Sequence, residues 1–154
     1  MAHQNRELDQ TDRKILDELE RDGRMSVAEL SRRVSLSKTP CLARIKRMEA
    51  LGYIRGYRAL IDQQRMGLAH VAFVEVRLSD TRKPALEAFN RAVRLLPEVE
   101  QAHMIASNFD YLLKVRTEDI VAYREVLGEK ISALPHVART STHVSMEAVK
   151  DVST

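Results

Sequence analysis

The residues best suited to chemistry in this chain are its cations. Arg32, Arg33, Lys38, Arg44, Lys46, Arg47, Arg55 and Arg58 fall within residues 31–58, where Glu49 is the only acid. The whole chain balances 25 Lys and Arg against 22 Asp and Glu, so this block stands apart. Such clustering suits ion pairing with a polyanion such as a nucleic-acid backbone. On charge alone, a solvated helix face explains it equally well. Other chemistries find little support. The one cysteine, Cys41, leaves no internal disulfide or multi-cysteine metal site, and a small packed residue is its expected role. His70, His103, His136 and His143 lack metal-ligand spacing, and His3 sits in the N-terminal tail. His103 and His143 both fall on predicted strands and could be neighbours. No glycine-rich phosphate loop, nucleophile elbow or nucleophile–base pair is present, so no catalytic residue, metal or cofactor is expected, nor enzymatic activity.

Helices must carry the basic block. Residues 9–51 read as three short ones. The first spans roughly Thr11–Arg21, with Ile15, Leu16 and Leu19 on one face and Thr11 as the expected cap. Lys14 stands where a capping box needs an acid, and Asp22–Gly23 ends the helix. The second spans Ser26–Val34, with Ser26 and Glu29 spaced as a capping box. After the turn Ser35–Leu36–Ser37, the third runs about Thr39–Leu51, with Pro40 at its first position. A helical wheel gathers Cys41, Leu42, Ile45 and Met48 on a packing side, with Arg44 at the flank. Thr39, Ala43, Lys46 and Arg47 fall opposite. A basic face with a small residue at its centre is what a helix entering a major groove needs. Long cations reach phosphates and guanine edges while Ala43 allows close approach.

Beyond Gly52 the pattern becomes extended. Tyr53–Ile61 and His70–Leu78 read as strands. Lys83–Leu96 is amphipathic, Val99–Ala106 and Tyr111–Thr117 flank the turn Ser107–Asp110, and Asp119–Leu134 is a second amphipathic helix. Val137–Met146 closes the series. From His70 onward the order is βαββαβ, a ferredoxin-like arrangement. The predicted fold is therefore α+β. A winged-type helix-turn-helix domain occupies residues 1–53, a linker strand or hinge 54–67, and a ferredoxin-like domain 68–154. Gly56 and Gly67 are expected hinge points. Apolar residues make up 44% of the chain and charged residues 31%, enough for packed cores. No apolar run suits a membrane span, and the N-terminus lacks the apolar segment of a signal peptide, so a cytoplasmic location is expected.

Particular residues carry a resemblance to a known family. Leu8, Asp9, Asp12, Ile15 and Leu16 match an LDxxDxxIL opening. Ser37, Thr39, Pro40, Cys41, Arg44, Ile45, Arg47, Met48 and Glu49 match a helix signature, followed by Gly52, Tyr53, Ile54, Gly56 and Tyr57. Phe109–Val115, Ala122–Arg124 and Val144–Lys150 match further downstream. Over about residues 8–150 the chain resembles the Lrp/AsnC (feast/famine) regulators of bacteria and archaea. The resemblance implies a ferredoxin-like module known as the RAM domain, homodimers formed through its sheets, and assembly into octamers or similar rings. It also implies binding of a small amino-acid effector between RAM domains.

On the DNA side the expected contacts are Ser37, Lys38, Thr39, Arg44, Lys46 and Arg47. Capping would account for Ser37 and Thr39 equally well. Arg32 and Arg33 are either backbone contacts or a solvated helix end. On the effector side the family's turn often reads G-D-x-D-Y, and here it reads Ser107–Asn108–Phe109–Asp110–Tyr111. Asp110 is kept and could receive an amino group. Ser107 replaces a glycine that would permit positive φ, so a reshaped turn is expected. Asn108 replaces a charge. The resemblance also points to Met104, Ile120 and His143 as pocket lining, where ordinary packing explains each equally well. The expected function is an amino-acid-controlled transcriptional regulator of amino-acid metabolism, with a hint of members that activate proline breakdown. Two alternatives are an architectural DNA-wrapping protein without effector and an enzyme on a ferredoxin-like fold.

Overall fold

The computed structural model of the protein describes residues 8–151. His3 and the outermost residues of the expected domains at 1–53 and 68–154 lie outside these. The chain forms two compact units that divide between Ala59 and Leu60.

The first unit is built on three helices. α1 (Gln10–Arg21) starts at Asp9, not at the expected Thr11. Asp9 accepts a hydrogen bond from the Asp12 amide at 2.8 Å, and Asp12 accepts one from the Asp9 amide at 3.2 Å. The capping box is thus complete, made by two aspartates where Ser/Thr and Glu/Gln were sought. α2 (Val27–Arg33) is capped by Ser26, whose hydroxyl accepts the Glu29 amide hydrogen at 3.1 Å. Its box is only half made, because the Glu29 carboxylate is drawn to Arg32 and Arg33 instead. α3 (Lys38–Ala50) starts one residue early, which moves Pro40 to the third helical position. No amide hydrogen bond is lost there, since the first turn's N–H groups have no intrahelical acceptor. Gly52, at φ 81°, ends the helix in the left-handed region.

Ile15, Leu30, Val34, Cys41, Ile45 and Met48 form this unit's core. Leu42 does not join them and is 39% exposed. At 100° per residue it sits a quarter turn from Cys41, too far to reach the core. The expected strand Tyr53–Ile61 is absent: Tyr53 and Ile54 bend back so that their amides donate to the Met48 carbonyl, and the rest of the segment joins no sheet, with Gly56 at φ 152°. β-propensity describes fit to a neighbouring strand, and among the described residues the segment has none. The division between units falls inside the linker expected at 54–67, whose first residue, Ile54, packs on the helical core.

The second unit is a four-stranded antiparallel sheet with helices on one face. β1 (His70–Leu78), β2 (Val99–Met104), β3 (Tyr111–Thr117) and β4 (Val137–Val144) lie in the order β2-β3-β1-β4. α4 (Lys83–Val93) and α5 (Ile120–Val126) complete the βαββαβ sequence. α4 stops three residues short of expectation, and α5 passes into a π-helical turn at Leu127–Ile131 rather than running on to Leu134. That wider turn still buries Ile131 in the core. Ala72, Val74, Val76 and Leu78 alternate inward from β1, joined by Tyr111, Leu113 and Val115 from β3 and by Phe89 and Tyr123 from the helices. The other sheet face carries Phe73, Leu112, Lys114 and Arg116. Lys114 is almost buried there, paired with Asp151 at 2.6 Å and Glu100 at 3.5 Å. His103 and His143 lie on β2 and β4, the two opposite edges, so they are not neighbours. Sequence places them on strands, but only the strand order decides adjacency.

Candidate DNA-reading helix and effector turn

α3 presents its functional face by exclusion. Cys41, Ile45 and Met48 anchor one side in the core, which turns Lys38, Thr39, Ala43 and Lys46 out to solvent. Ser37 occupies the cap position yet makes no side-chain cap bond, so its hydroxyl is not spent on the helix. The turn into α3 is tight: Ser35 adopts φ 58°, and Leu36 folds back to donate to the Ser31 carbonyl at 2.9 Å. Leu36 thereby plugs the core and fixes the angle between α2 and α3.

The two arginines of α3 are placed differently from the lysines. Arg44 donates to Asp9 at 2.6 Å and to Asp12 at 2.9 Å, and Arg47 also pairs with Asp12. The Asp12 side chain is only 1% exposed, while the arginines are about a third exposed. Burial pushes the Asp12 carboxyl up, but hydrogen bonds from Arg47 and Arg44 outweigh it and hold the group below its ordinary value. The same contacts raise Arg44, chiefly through Asp9 and then Asp12. Sequence reading assigned Arg44 and Arg47 to DNA, whereas here they span α3 and α1. It missed Asp9 and Asp12 as their partners. The available signal was the pair of acids three residues apart at a helix start, facing arginines also three apart. Arg33 is likewise engaged, by Glu18 and Glu29 at 2.8 Å each, and Arg32 by Glu29.

In the second unit, the β2–β3 turn brings Ser107, Asn108 and Asp110 together near Met104 at the end of β2. Asp110 fastens this turn to β1. Its Oδ2 accepts from the Leu78 amide at 2.7 Å, and its own amide donates to the Val76 carbonyl at 2.9 Å. The Ser107 hydroxyl donates to Asn108 Oδ1 at 3.0 Å. Ser107 is not in the left-handed region, so the turn avoids the conformation that glycine would favour. Ile120 opens α5, beyond the far end of β3 from this turn. His143, on the edge strand β4, pairs in register with Phe73 of β1 and meets Glu75 at 3.2 Å. One copy of the chain therefore gathers Met104, Ser107, Asn108 and Asp110 but leaves Ile120 and His143 apart. Among the described residues, no group of acids, histidines or cysteine is arranged to hold a metal ion. No helix among them is long and apolar enough to cross a membrane.

Comparison with known proteins agrees with this division of labour. Residues 8–55 match a winged helix-turn-helix DNA-binding family, and residues 71–154 match the Lrp/AsnC ligand binding domain. Among the described residues of the matched 8–55 segment there is no strand. A proline dehydrogenase transcriptional activator from Rhizobium radiobacter is 60% identical over 150 residues, 97% of this chain and 96% of that one. The leucine-responsive regulatory protein of Escherichia coli is 47% identical, over 94% of this chain and 88% of its own. A crystal structure of a Neisseria meningitidis transcriptional regulator in complex with L-Met superposes with a TM-score of 0.89 at 34% identity, covering 94% of each chain. With its helix-turn-helix and ligand-binding domains matched in order along nearly the whole chain, this protein belongs to the Lrp/AsnC family of amino-acid-responsive, DNA-binding transcriptional regulators.

Proposed function

We propose that this regulator activates transcription of a proline dehydrogenase gene and that proline is its effector. The observation that carries this reading is the 60% identity to the Rhizobium radiobacter activator over 97% of the chain. The DNA contacts are Lys38, Thr39 and Lys46, with Ser37 at the helix start. All four are exposed, and among the described residues neither lysine is paired with an acid. A recognition helix this short reads only a few base pairs, so two half-sites and a dimer are needed. Dimers pair through the exposed sheet face that carries Phe73, and they assemble further into an octamer or similar ring. The effector sits between copies. Asp110, with one oxygen committed to Leu78, offers Oδ1 to the amino group, and Ser107, Asn108 and Met104 surround it. Ile120 and His143 join that site only if supplied by a second copy, because one copy holds them apart. No cofactor besides the amino acid takes part, and the protein works at the nucleoid in the bacterial cytoplasm.

The test is DNA binding to the region upstream of a proline dehydrogenase gene, titrated with proline and a panel of other amino acids. Sedimentation of the same samples reports assembly. The expected result is a change in affinity or assembly with proline alone, weakened by Asp110→Ala without loss of DNA binding. A response to a different amino acid overturns the choice of effector. Tight DNA binding with no response to any amino acid favours an architectural DNA wrapper.

A further inference from the structure

The arginines of α3 stand on the same helix as the DNA-facing lysines, yet they are geometrically withdrawn from that face. Each oxygen of Asp12 has its own partner: Oδ1 takes Arg44, and Oδ2 takes Arg47 as well as the Asp9 amide. Arg44 and Arg47 lie nearly one turn apart, so Asp12 grips α3 at two points along its flank. Rotating α3 by one residue swings each guanidinium through about 100° and breaks both grips. Charge closes within the cluster, because Asp9 and Asp12 match Arg44 and Arg47 in number. Moving either arginine to a phosphate would strip a partner from a carboxylate that is 1% exposed. A buried charge is penalised far more for losing its partner than a solvated phosphate gains by acquiring one.

We propose that Asp12 is a positioning residue for base reading: it holds Arg44 and Arg47 against α1, these arginines fix the roll of α3 and take no phosphate, and Thr39 and Ala43 are aimed into the groove by that lock. The inference rests on α3 being the DNA-reading helix and divides the labour on it. Lys38 and Lys46 supply phosphate affinity, and the Asp12 cluster supplies discrimination among sequences.

The test uses the full-length protein, a duplex selected by the wild type from a random pool, and an unrelated duplex of equal length. Dissociation constants are measured across a potassium chloride series, with folding checked by circular dichroism. Lys46→Gln is expected to make the salt dependence shallower by about 0.9 per bound protomer, with the ratio of selected to unrelated affinity kept within about threefold. Arg47→Gln is expected to leave the salt slope unchanged and to lower that ratio at least tenfold. Asp12→Asn keeps the side-chain shape but frees both arginines. It is expected to steepen the salt slope and lower the ratio. If Arg47→Gln makes the slope as shallow as Lys46→Gln does, Arg47 is a phosphate contact and the proposal fails. It fails equally if Asp12→Asn folds and changes neither slope nor ratio. Should Asp12→Asn not fold, the Arg47→Gln slope decides alone. If the wild type selects no duplex at all, the reading of α3 itself falls, a result distinct from either failure above.

Discussion

Asp12 shows how much one residue can carry. It closes the capping box of α1 and receives two guanidiniums from α3 while wholly buried. Replacing it with alanine removes two charge-assisted hydrogen bonds and half of that box. Discounting for the partial exposure of the arginines, we expect a loss of about 2–3 kcal/mol, read by denaturant unfolding. The pH dependence has a definite sign. The folded Asp12 titrates below the unfolded 3.8, so its contribution is fully present above that pH. It is lost as pH falls through the lower folded value. Acid unfolding of the wild type should therefore show a steep limb below about pH 4 that Asp12→Asn flattens. Asp80 offers a second check in the other unit. Side-chain and backbone hydrogen bonds from Arg82 lower its carboxyl to about 2, and a carboxyl-carbon NMR titration should find that midpoint. Arg82→Gln should return it toward 3.8.

Elements are held by few decisive positions. Gly52 ends α3 at φ 81° with open space around it, so an added methyl meets no neighbour. Only backbone strain opposes it. Gly52→Ala should cost about 1–2 kcal/mol, measured by chemical denaturation, with α3 otherwise intact. Phe89 is fully buried beneath the sheet, 4.3 Å from the Tyr111 ring between centroids. Phe89→Ala should cost about 3–5 kcal/mol by the same measurement. Periodicity found every helix and strand of the second unit, because amphipathic faces repeat at fixed intervals. It placed both ends of β1 and β3 and misplaced an end of α4, β2, α5 and β4, as at Leu127–Ile131, where a π-helical turn takes over from α5. It also assigned a strand to Tyr53–Ile61 on β-propensity that no partner strand among the described residues satisfies.

At the scale of the molecule, one face of the sheet is packed under helices and the other is not. Phe73 is 37% exposed on that second face, beside the ion pairs of Lys114. If sheets of two copies pair there, Phe73→Glu places a charge in the interface, and sedimentation should show a shift toward monomer. Far-ultraviolet circular dichroism should remain unchanged, since the Phe73 side chain lies outside the core. The residues proposed for the effector belong to the same scale. Met104, Ser107, Asn108 and Asp110 gather at one turn while His143 and Ile120 stay elsewhere in the copy. A binding site using all of them belongs to an assembly rather than to a chain.

The sequence by itself determined the two-part organisation, the βαββαβ order and the sidedness of α3. These follow from local periodicity and from the stretch of cations at residues 31–58, which need no knowledge of distant neighbours. Tertiary structure decided which cations remain available. Arg44 and Lys46 are two residues apart and alike in charge, yet one faces Asp12 across the helix packing and the other faces water. That difference depends on where α1 lies against α3, thirty-odd residues away in the chain. The same holds for Asp110, which meets the Leu78 amide only because β1 and β3 pair. Side-chain type sets what a residue can bind, and packing sets what remains for it to bind.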